Sequence, residues 1–423
     1  LLRQFAPFSW RYAFITHKYD SFPFNLWILT IRIYDESDLT QMIITNVVLK
    51  NWRNFRSANV RLGSRVFVVG PNASGKSNFL DLFQFLRDLT IAGGGLQKAV
   101  NDRGGISKIR CLAARQNPDL EIEIELSEDN GAKNTWTYAI GVKQEARGHR
   151  QPFLAYERVS RNGKLLLNRP DTSDETDPLR LTQTHLEQIS ANSQFREIAR
   201  FFEAVDYLHL VPQLIRHPEA FAGPGMSGDP YGRNFLERVA RTSEKIRKSR
   251  LRRIEAALRI AVPQLSELTD IKDETGIPHL EAVYRHWRPK GAKQREDQFS
   301  DGTLRLIGLL WSLLESSSLL LLEEPELSLN TGIVKKLPAL MYRIQKQRQR
   351  QVIVSTHSPD LLSDPGIGGE EVLLLTPSEE GTRIELASSV QEIKDLLEGG
   401  LTIADAAIPR TTPETLLQLD LFQ

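Results

Sequence analysis

The sequence predicts an α/β protein built on a mostly parallel core sheet, with an antiparallel β lobe and a helical insertion. Three observations predict it. Gly70-Pro71-Asn72-Ala73-Ser74-Gly75-Lys76-Ser77 fits G-x-x-x-x-G-K-[ST], between the apolar run Arg65-Val66-Phe67-Val68-Val69 and a helix-permissive stretch at 78–86. Leu319-Leu320-Leu321-Leu322-Glu323-Glu324 and Gln351-Val352-Ile353-Val354-Ser355-Thr356 are near-continuous aliphatic runs, the pattern of strands buried on both faces of a parallel sheet. Leu120-Glu121-Ile122-Glu123-Ile124-Glu125-Leu126 instead alternates strictly, as a half-exposed antiparallel strand does.

The glycine-rich segment has the strand–loop–helix setting of a phosphate-binding loop, so the fold expected is that of a P-loop NTPase. Its glycines let backbone N–H groups converge on phosphate oxygens at a helix N-terminus, where the dipole favours anions. The residues expected to hold ATP here are Gly70, Asn72, Ser74, Gly75, Lys76, Ser77 and Asn78. Lys76 reaches the β- and γ-phosphates, and the Ser77 hydroxyl is a ligand for Mg²⁺.

The aliphatic strand at 319–322 ends in Glu323-Glu324-Pro325-Glu326. Open α/β sheets place their ligands at the carboxyl ends of the strands, so these acids belong beside the phosphate loop. Glu323 is the expected Mg²⁺-side carboxylate and Glu324 the group that orients or deprotonates the attacking water. His357 follows the strand at 351–356 and is placed to contact the γ-phosphate or that water. Phe299-Ser300-Asp301-Gly302-Thr303 precedes an apolar helix from Leu304 to about Leu314, presenting N–H groups at a helix start.

In their order, these four segments resemble an ATP-binding-cassette (ABC-type) ATPase of the soluble RecF/SMC-like branch, and more closely its bacterial predicted AAA-family ATPases. The resemblance spans residues 42–377. It implies an ABC-type core sheet, Walker A at 70–77, a signature at Ser300 and Gly302, Walker B at 319–323, catalytic Glu324 and a switch histidine at His357. It also implies a head-to-tail homodimer with two ATPs between subunits, the signature of one touching the γ-phosphate held by the other. Three features depart from the wider pattern. Glu323 stands where many relatives have Asp, Asp301 brings negative charge into the signature, and 326–330 lacks the aspartate of the transporter version. The glutamine loop has two weak candidates, Gln97 and Gln116.

Composition adds limits. The 423 residues carry 54 Lys and Arg against 53 Asp and Glu, so net charge makes no case for nucleic acid. One cysteine, Cys111, excludes an intrachain disulfide framework and fits a reducing cytoplasm. No apolar segment approaches the roughly 20 residues needed to cross a bilayer. The expected setting is cytoplasmic, with no membrane partner.

Five stretches follow. Residues 1–41 precede the first methionine, Met42, and form an extension of uncertain standing, a start-site artefact being the expectation. Residues 42–181 hold Walker A and the β lobe, 182–269 a helical insertion, 270–385 the signature, Walker B and His357, and 386–423 a C-terminal tail. In the lobe, Asn51-Trp52-Arg53-Asn54-Phe55 resembles a segment that such ATPases place near nucleotide. The insertion shows no sustained heptads, against a long coiled-coil arm.

A basic helix is expected across 233–258, with Ile246, Leu251, Ile254 and Leu258 as its apolar stripe. Its cations Arg233, Arg238, Arg241, Lys245, Arg247, Lys248, Arg250, Arg252 and Arg253 face only Glu237, Glu244 and Glu255. Two readings stand: a contact surface for double-stranded DNA, or a solvated face balanced by acidic neighbours. A second basic stretch, 285–295, has two readings, a nucleic-acid contact or a brace for the signature loop, the brace being the expectation. The terminal Gln418-Leu419-Asp420-Leu421-Phe422 resembles the peptide by which bacterial replication and repair proteins bind the sliding clamp; the alternative is a tail docked on the protein's own core. Only 66 residues follow His357, too few for a fused nuclease domain, so any nuclease is expected from a separate effector protein. Two function classes result: an ATPase whose dimerisation serves DNA maintenance, repair or phage defence, or a nucleotide-gated module controlling an effector.

Overall fold

The computed structural model describes residues 12–17, 28–33, 42–114, 119–128, 134–145, 150–220, 229–287, 291–315, 319–348 and 350–411. Its centre is a six-stranded sheet in the order Asp206–Leu208, Leu319–Glu323, Gln351–Thr356, Arg65–Val69, Val372–Thr376, Arg383–Leu386. The first five strands are parallel and the last is antiparallel.

Alternate side chains of each central strand enter two different cores. Val66, Val68, Leu319, Leu321 and Ile353 point to one, while Phe67, Val69, Leu320, Leu322 and Val354 point to the other. Burial on both faces is why these strands read as unbroken aliphatic runs. The helix Lys76–Thr90 covers the first face, burying Phe79, Leu80, Leu82, Phe83, Phe85, Leu86 and Leu89. Helix Asp301–Leu314 packs into the second core, its side chains buried almost throughout from Thr303 to Leu314.

The antiparallel lobe has the order Phe55–Arg61, Ile43–Trp52, Leu120–Ser127, Trp136–Gln144, Pro152–Arg161, Lys164–Arg169. Along Leu120–Ser127 the leucines and isoleucines are buried and the three glutamates partly exposed, as alternation requires. A fully buried ion cluster locks the lobe to the chain that follows. Arg169 lies 3.1 Å from Glu157 and 2.9 Å from Asp174, and donates to the carbonyls of Arg180 and Gln183. The backbone N–H groups of His185 and Leu186 donate to Glu157 in turn. Arg169→Ala leaves the buried Glu157 carboxylate without a cation and Asp174 with Arg180 alone, and a loss of about 3–5 kcal/mol is expected. Chemical denaturation of the variant checks it; a midpoint within error of the parent contradicts it.

Several boundaries differ from the sequence reading. Residues 182–269 are not only helical, because Asp206–Leu208 pairs in parallel with Leu320, Leu321 and Leu322 and forms an edge of the core sheet. The expected basic helix is two helices, Phe235–Arg241 and Glu244–Ala261, with extended backbone at Thr242 and Ser243. Arg247 secures the break by donating to the carbonyls of Ala240 and Thr242. Leu251, Ile254 and Leu258 are buried as expected, but Ile246 is 40% exposed. An unexpected three-stranded sheet, Leu265–Lys272, Pro278–Tyr284 and Ala292–Arg295, leads into the signature.

The C-terminal stretch is not a loose tail as far as Thr411. Helices Gln391–Glu398 and Ile403–Thr411 bury Ile393, Ile403, Ala406 and Ala407 in the second core, and Pro409 lies inside the last helix. Near the N-terminus, Tyr12–His17 pairs antiparallel with Ile28–Ile33. The clamp-like peptide at 418–422, Gln116 and residues 221–228 lie outside the described residues. Among the described residues, no helix is long and apolar enough to cross a membrane.

Candidate nucleotide site

Register assembles the site. Glu323 pairs with Ser355, and Ser355 and Thr356 pair with Val68 and Val69. Three neighbouring strands therefore end together, delivering the acids, His357 and the glycine loop to one rim of the sheet.

The loop is held tightly from behind. A Cβ on Gly70 would lie 2.8 Å from the Leu375 carbonyl, and Gly75 has φ +99°. Glycine is required at both positions. Gly75 caps helix Lys76–Thr90 without a side-chain hydrogen bond, so the first-turn N–H groups are left for an anion. Lys76 is 8% exposed, and its Nζ donates to the carbonyls of Gly70 at 3.0 Å and Pro71 at 3.1 Å. Burial holds the lysine below its ordinary pKa, against the opposing pull of Glu324, Glu323 and Glu326. Asn72 is exposed on the crest of the loop and Ser74 is buried beneath it.

Ser77 Oγ donates to one carboxylate oxygen of Glu323 and the Tyr207 hydroxyl donates to the other. The Tyr207 pKa is pushed up by burial first and then by the Glu323 charge, which keeps the phenol a donor. The longer side chain of Glu323 spans to Ser77 directly. A hydroxyl and a carboxylate are hard oxygen donors, and Mg²⁺ is commonly held by one or two such groups plus substrate phosphates. Among the described residues no group of three or more His, Cys, Asp or Glu could hold a metal. The Ser77–Glu323 pair thus fits Mg²⁺ shared with a phosphate better than a self-sufficient protein metal site.

Glu324 Oε1 lies 2.9 Å from His357 Nδ1. Glu324 has φ +43°, in the left-handed region where a non-glycine residue is strained, and its N–H donates to the Ser355 carbonyl at 3.0 Å. That backbone turn aims the carboxylate away from the sheet and toward the histidine.

At the signature, Ser300 is the N-cap of helix Asp301–Leu314, its hydroxyl accepting from the Thr303 N–H at 3.2 Å. Asp301 is paired: Arg216 lies 2.6 Å from it and the Gln213 amide donates to it at 3.1 Å. Its negative charge is therefore offset within the chain. Gly302 packs against the loop after Walker B, where an added Cβ would meet the Ser328 carbonyl at 2.6 Å.

Two site residues had little or no sequence signal. Asn54 donates to the Ser74 carbonyl at 2.7 Å and accepts from the Asn78 side chain at 2.9 Å, while Thr382 donates to the same carbonyl. Asn78 thus turns its amide to this brace. Asn54→Ala is expected to weaken ATP binding about tenfold through a loosened loop, as three side-chain hydrogen bonds, to Ser74, Thr382 and Asn78, are lost. Equilibrium titration checks this; parental affinity contradicts it. The resemblance marks the 51–55 segment, but no sequence signal marks Tyr207, which comes from a three-residue edge strand.

The other candidates do not join the site. The Gln97 amide donates to the Pro152 and Thr182 carbonyls, a structural role. In the basic segment Arg238 and Arg250 pair with Glu315, Arg247 with Asp270 and Lys248 with Glu244, while Arg241, Lys245 and Arg252 are exposed. In the second basic stretch Lys293 pairs with Glu281 across two strands; Arg288, Pro289 and Lys290 lie outside the described residues.

Comparison with known proteins decides the family. Residues 65–363 match the family profile described as "AAA domain, putative AbiEii toxin, Type IV TA system". The chain belongs to this ATPase family. Its matched span runs from the phosphate-loop strand past His357 and includes all four motifs. Endonuclease GajA of Bacillus cereus (strain VD045) is 36% identical over 67 residues, 16% of this chain and 12% of that protein. The alignment thus spans a small part of that protein's length. Among solved structures, an SMC head bound to the C-winged helix domain of ScpA superposes with TM-score 0.50 at 15% identity, covering 81% of this chain and 96% of that one. An SMC head domain from Thermotoga maritima gives TM-score 0.44 at 16% identity, covering 81% and 98%. The first of these shows a shared SMC-head-like fold.

Proposed function

We propose that this family member is a Mg²⁺-dependent ATPase whose ATP-driven homodimerisation is coupled to DNA maintenance, repair or phage defence. One observation carries the hydrolytic part: Lys76, the Ser77–Glu323 pair and the Glu324–His357 pair meet at the ends of three adjacent strands, beside an uncapped helix N-terminus. Loop N–H groups and Lys76 bind phosphate oxygens, and Ser77 and Glu323 hold the metal ion. Bound Mg²⁺ supplies charge stabilisation at the phosphate oxygens. Glu324 accepts a proton from the attacking water, and His357 orients the carboxylate and faces the γ-phosphate. Ser300 and Gly302 serve a second protomer's nucleotide, with Asp301 neutralised by Arg216.

The second reading, a nucleotide-gated module controlling a separate effector, is favoured by the basic segment, several of whose cations are committed to pairs within the chain. The family description, which names a toxin–antitoxin system, also supports action beside another component. ATP turnover of the full chain with and without double-stranded DNA separates the two. Stimulation that vanishes at high salt supports the first, since phosphate contacts are released by salt. Turnover indifferent to DNA overturns it in favour of the second.

A further inference from the structure

Glu326 stands three residues beyond the Mg²⁺-side acid, and neither the motifs nor the comparisons give it a role. It is 7% exposed. Its Oε1 accepts from the Thr356 hydroxyl, and Thr356 Oγ1 accepts from the Ser358 N–H at 3.0 Å. His357 is the residue between those two. The backbone around Glu326 is closed on itself, Leu327 N–H donating to the Glu324 carbonyl at 3.2 Å and Leu329 N–H to the Glu326 carbonyl at 3.1 Å. One side chain thus ties the turn carrying Glu324 to the turn carrying His357.

We propose that Glu326 is a positioning residue for the hydrolytic pair, holding Glu324 and His357 in register through Thr356. The proposal rests on the reading of that pair as the hydrolytic centre. Both members need such a tie. Glu324 is held at φ +43°, a conformation that persists only when its surroundings over-determine it, and the His357 side chain is about half exposed. Misplacement of reacting groups by about 1 Å can cost on the order of 100-fold in rate.

Only one oxygen of Glu326 takes part in this tie. Its Oε2 is buried without a hydrogen-bond partner, and an anionic carboxylate with one oxygen orphaned in the interior is costly. Burial raises its pKa, and the neighbouring Glu324 charge adds to the rise. Thr356 needs only an acceptor oxygen here, which glutamine also supplies and alanine does not.

The test uses Glu326→Ala, Glu326→Gln, Thr356→Val and Thr356→Ser in the full chain, with ATP affinity and kcat measured separately. Glu326→Ala and Thr356→Val are each expected to lower kcat by roughly 10- to 100-fold while ATP affinity stays within about threefold. Glu326→Gln and Thr356→Ser are expected to retain kcat within about threefold, and the double variant Glu326→Ala/Thr356→Val to be no slower than the worse single one. A purely structural role would not split kcat from affinity or be rescued by glutamine. If Glu326→Ala does not fold, Thr356→Val, which removes the same bond from the other side, decides. Parental kcat in either of these, or equal loss in Glu326→Ala and Glu326→Gln, overturns the proposal alone. A parent without ATP turnover overturns the hydrolytic reading along with it.

Discussion

Lys76→Ala is expected to lose ATP binding by roughly 30- to 5,000-fold, the equivalent of the 2–5 kcal/mol typical when one partner of a buried charge pair is removed. The size of the effect follows from where the ammonium sits. It is buried at the head of the helix and curls over the loop onto the carbonyls of Gly70 and Pro71. Removing it takes away a cation from the phosphate cradle and also the donor that restrains two loop carbonyls. The pKa-lowering burial of Lys76 is opposed by three nearby carboxylates, so alanine leaves Glu323, Glu324 and Glu326 facing an incoming polyphosphate unscreened. Calorimetric titration of ATP into the variant checks this, and parental affinity would remove the Walker A assignment.

Glu324→Gln is expected to separate binding from turnover. Its amide keeps the hydrogen-bonding contact to His357 but cannot take a proton, and loss of a general base typically costs about 10²–10⁴ in rate. ATP affinity should stay near the parental value, because phosphate contacts come from the loop, Lys76 and the Ser77–Glu323 pair. With hydrolysis stalled, the nucleotide-bound dimer should accumulate. Light scattering of the variant with Mg²⁺ and ATP reads that directly. A variant that hydrolyses at the parental rate contradicts the role of Glu324, and one that stays monomeric with ATP bound contradicts ATP-driven dimerisation.

The parts of this molecule legible in its sequence are those in which one local rule dominates. Strands 65–69, 319–323 and 351–356 are buried on both faces, so their aliphatic runs are unambiguous, and the glycines of the phosphate loop are demanded by backbone geometry. The strict alternation of Leu120–Ser127 likewise reports one exposed face. Features set by long-range partners were not legible. Tyr207 matters because Asp206–Leu208 docks on a strand more than one hundred residues later, and three residues are too few to show a period. Asn54 acquires its role only when the first lobe strands fold back beneath the phosphate loop. The cationic run at 233–253 suggests a surface, yet Glu315 and Asp270, distant in sequence, draw Arg238, Arg250 and Arg247 inward. Asp301 puts a negative charge beside phosphate in the sequence, and only the fold brings Arg216 and Gln213, from the preceding segment, against it.

Glu326 shows the same limit in a smaller compass. In sequence it is one more acid after a strand, and a solvated turn is the plain reading. In the fold it is buried and bonded to the neighbouring strand end. The acidic run is therefore divided by geometry: Glu323 turns to Ser77 and Tyr207, Glu324 to His357 and Glu326 to Thr356.

Phosphate release from ATP by the full chain, in Mg²⁺ and in excess chelator, with Glu324→Gln run beside the parent, tests the central claim most directly. The arrangement of Lys76, Ser77, Glu323, Glu324 and His357 predicts release that requires Mg²⁺ and nearly disappears in the variant. Tight ATP binding without any phosphate release, or release that persists unchanged in Glu324→Gln, would contradict the account.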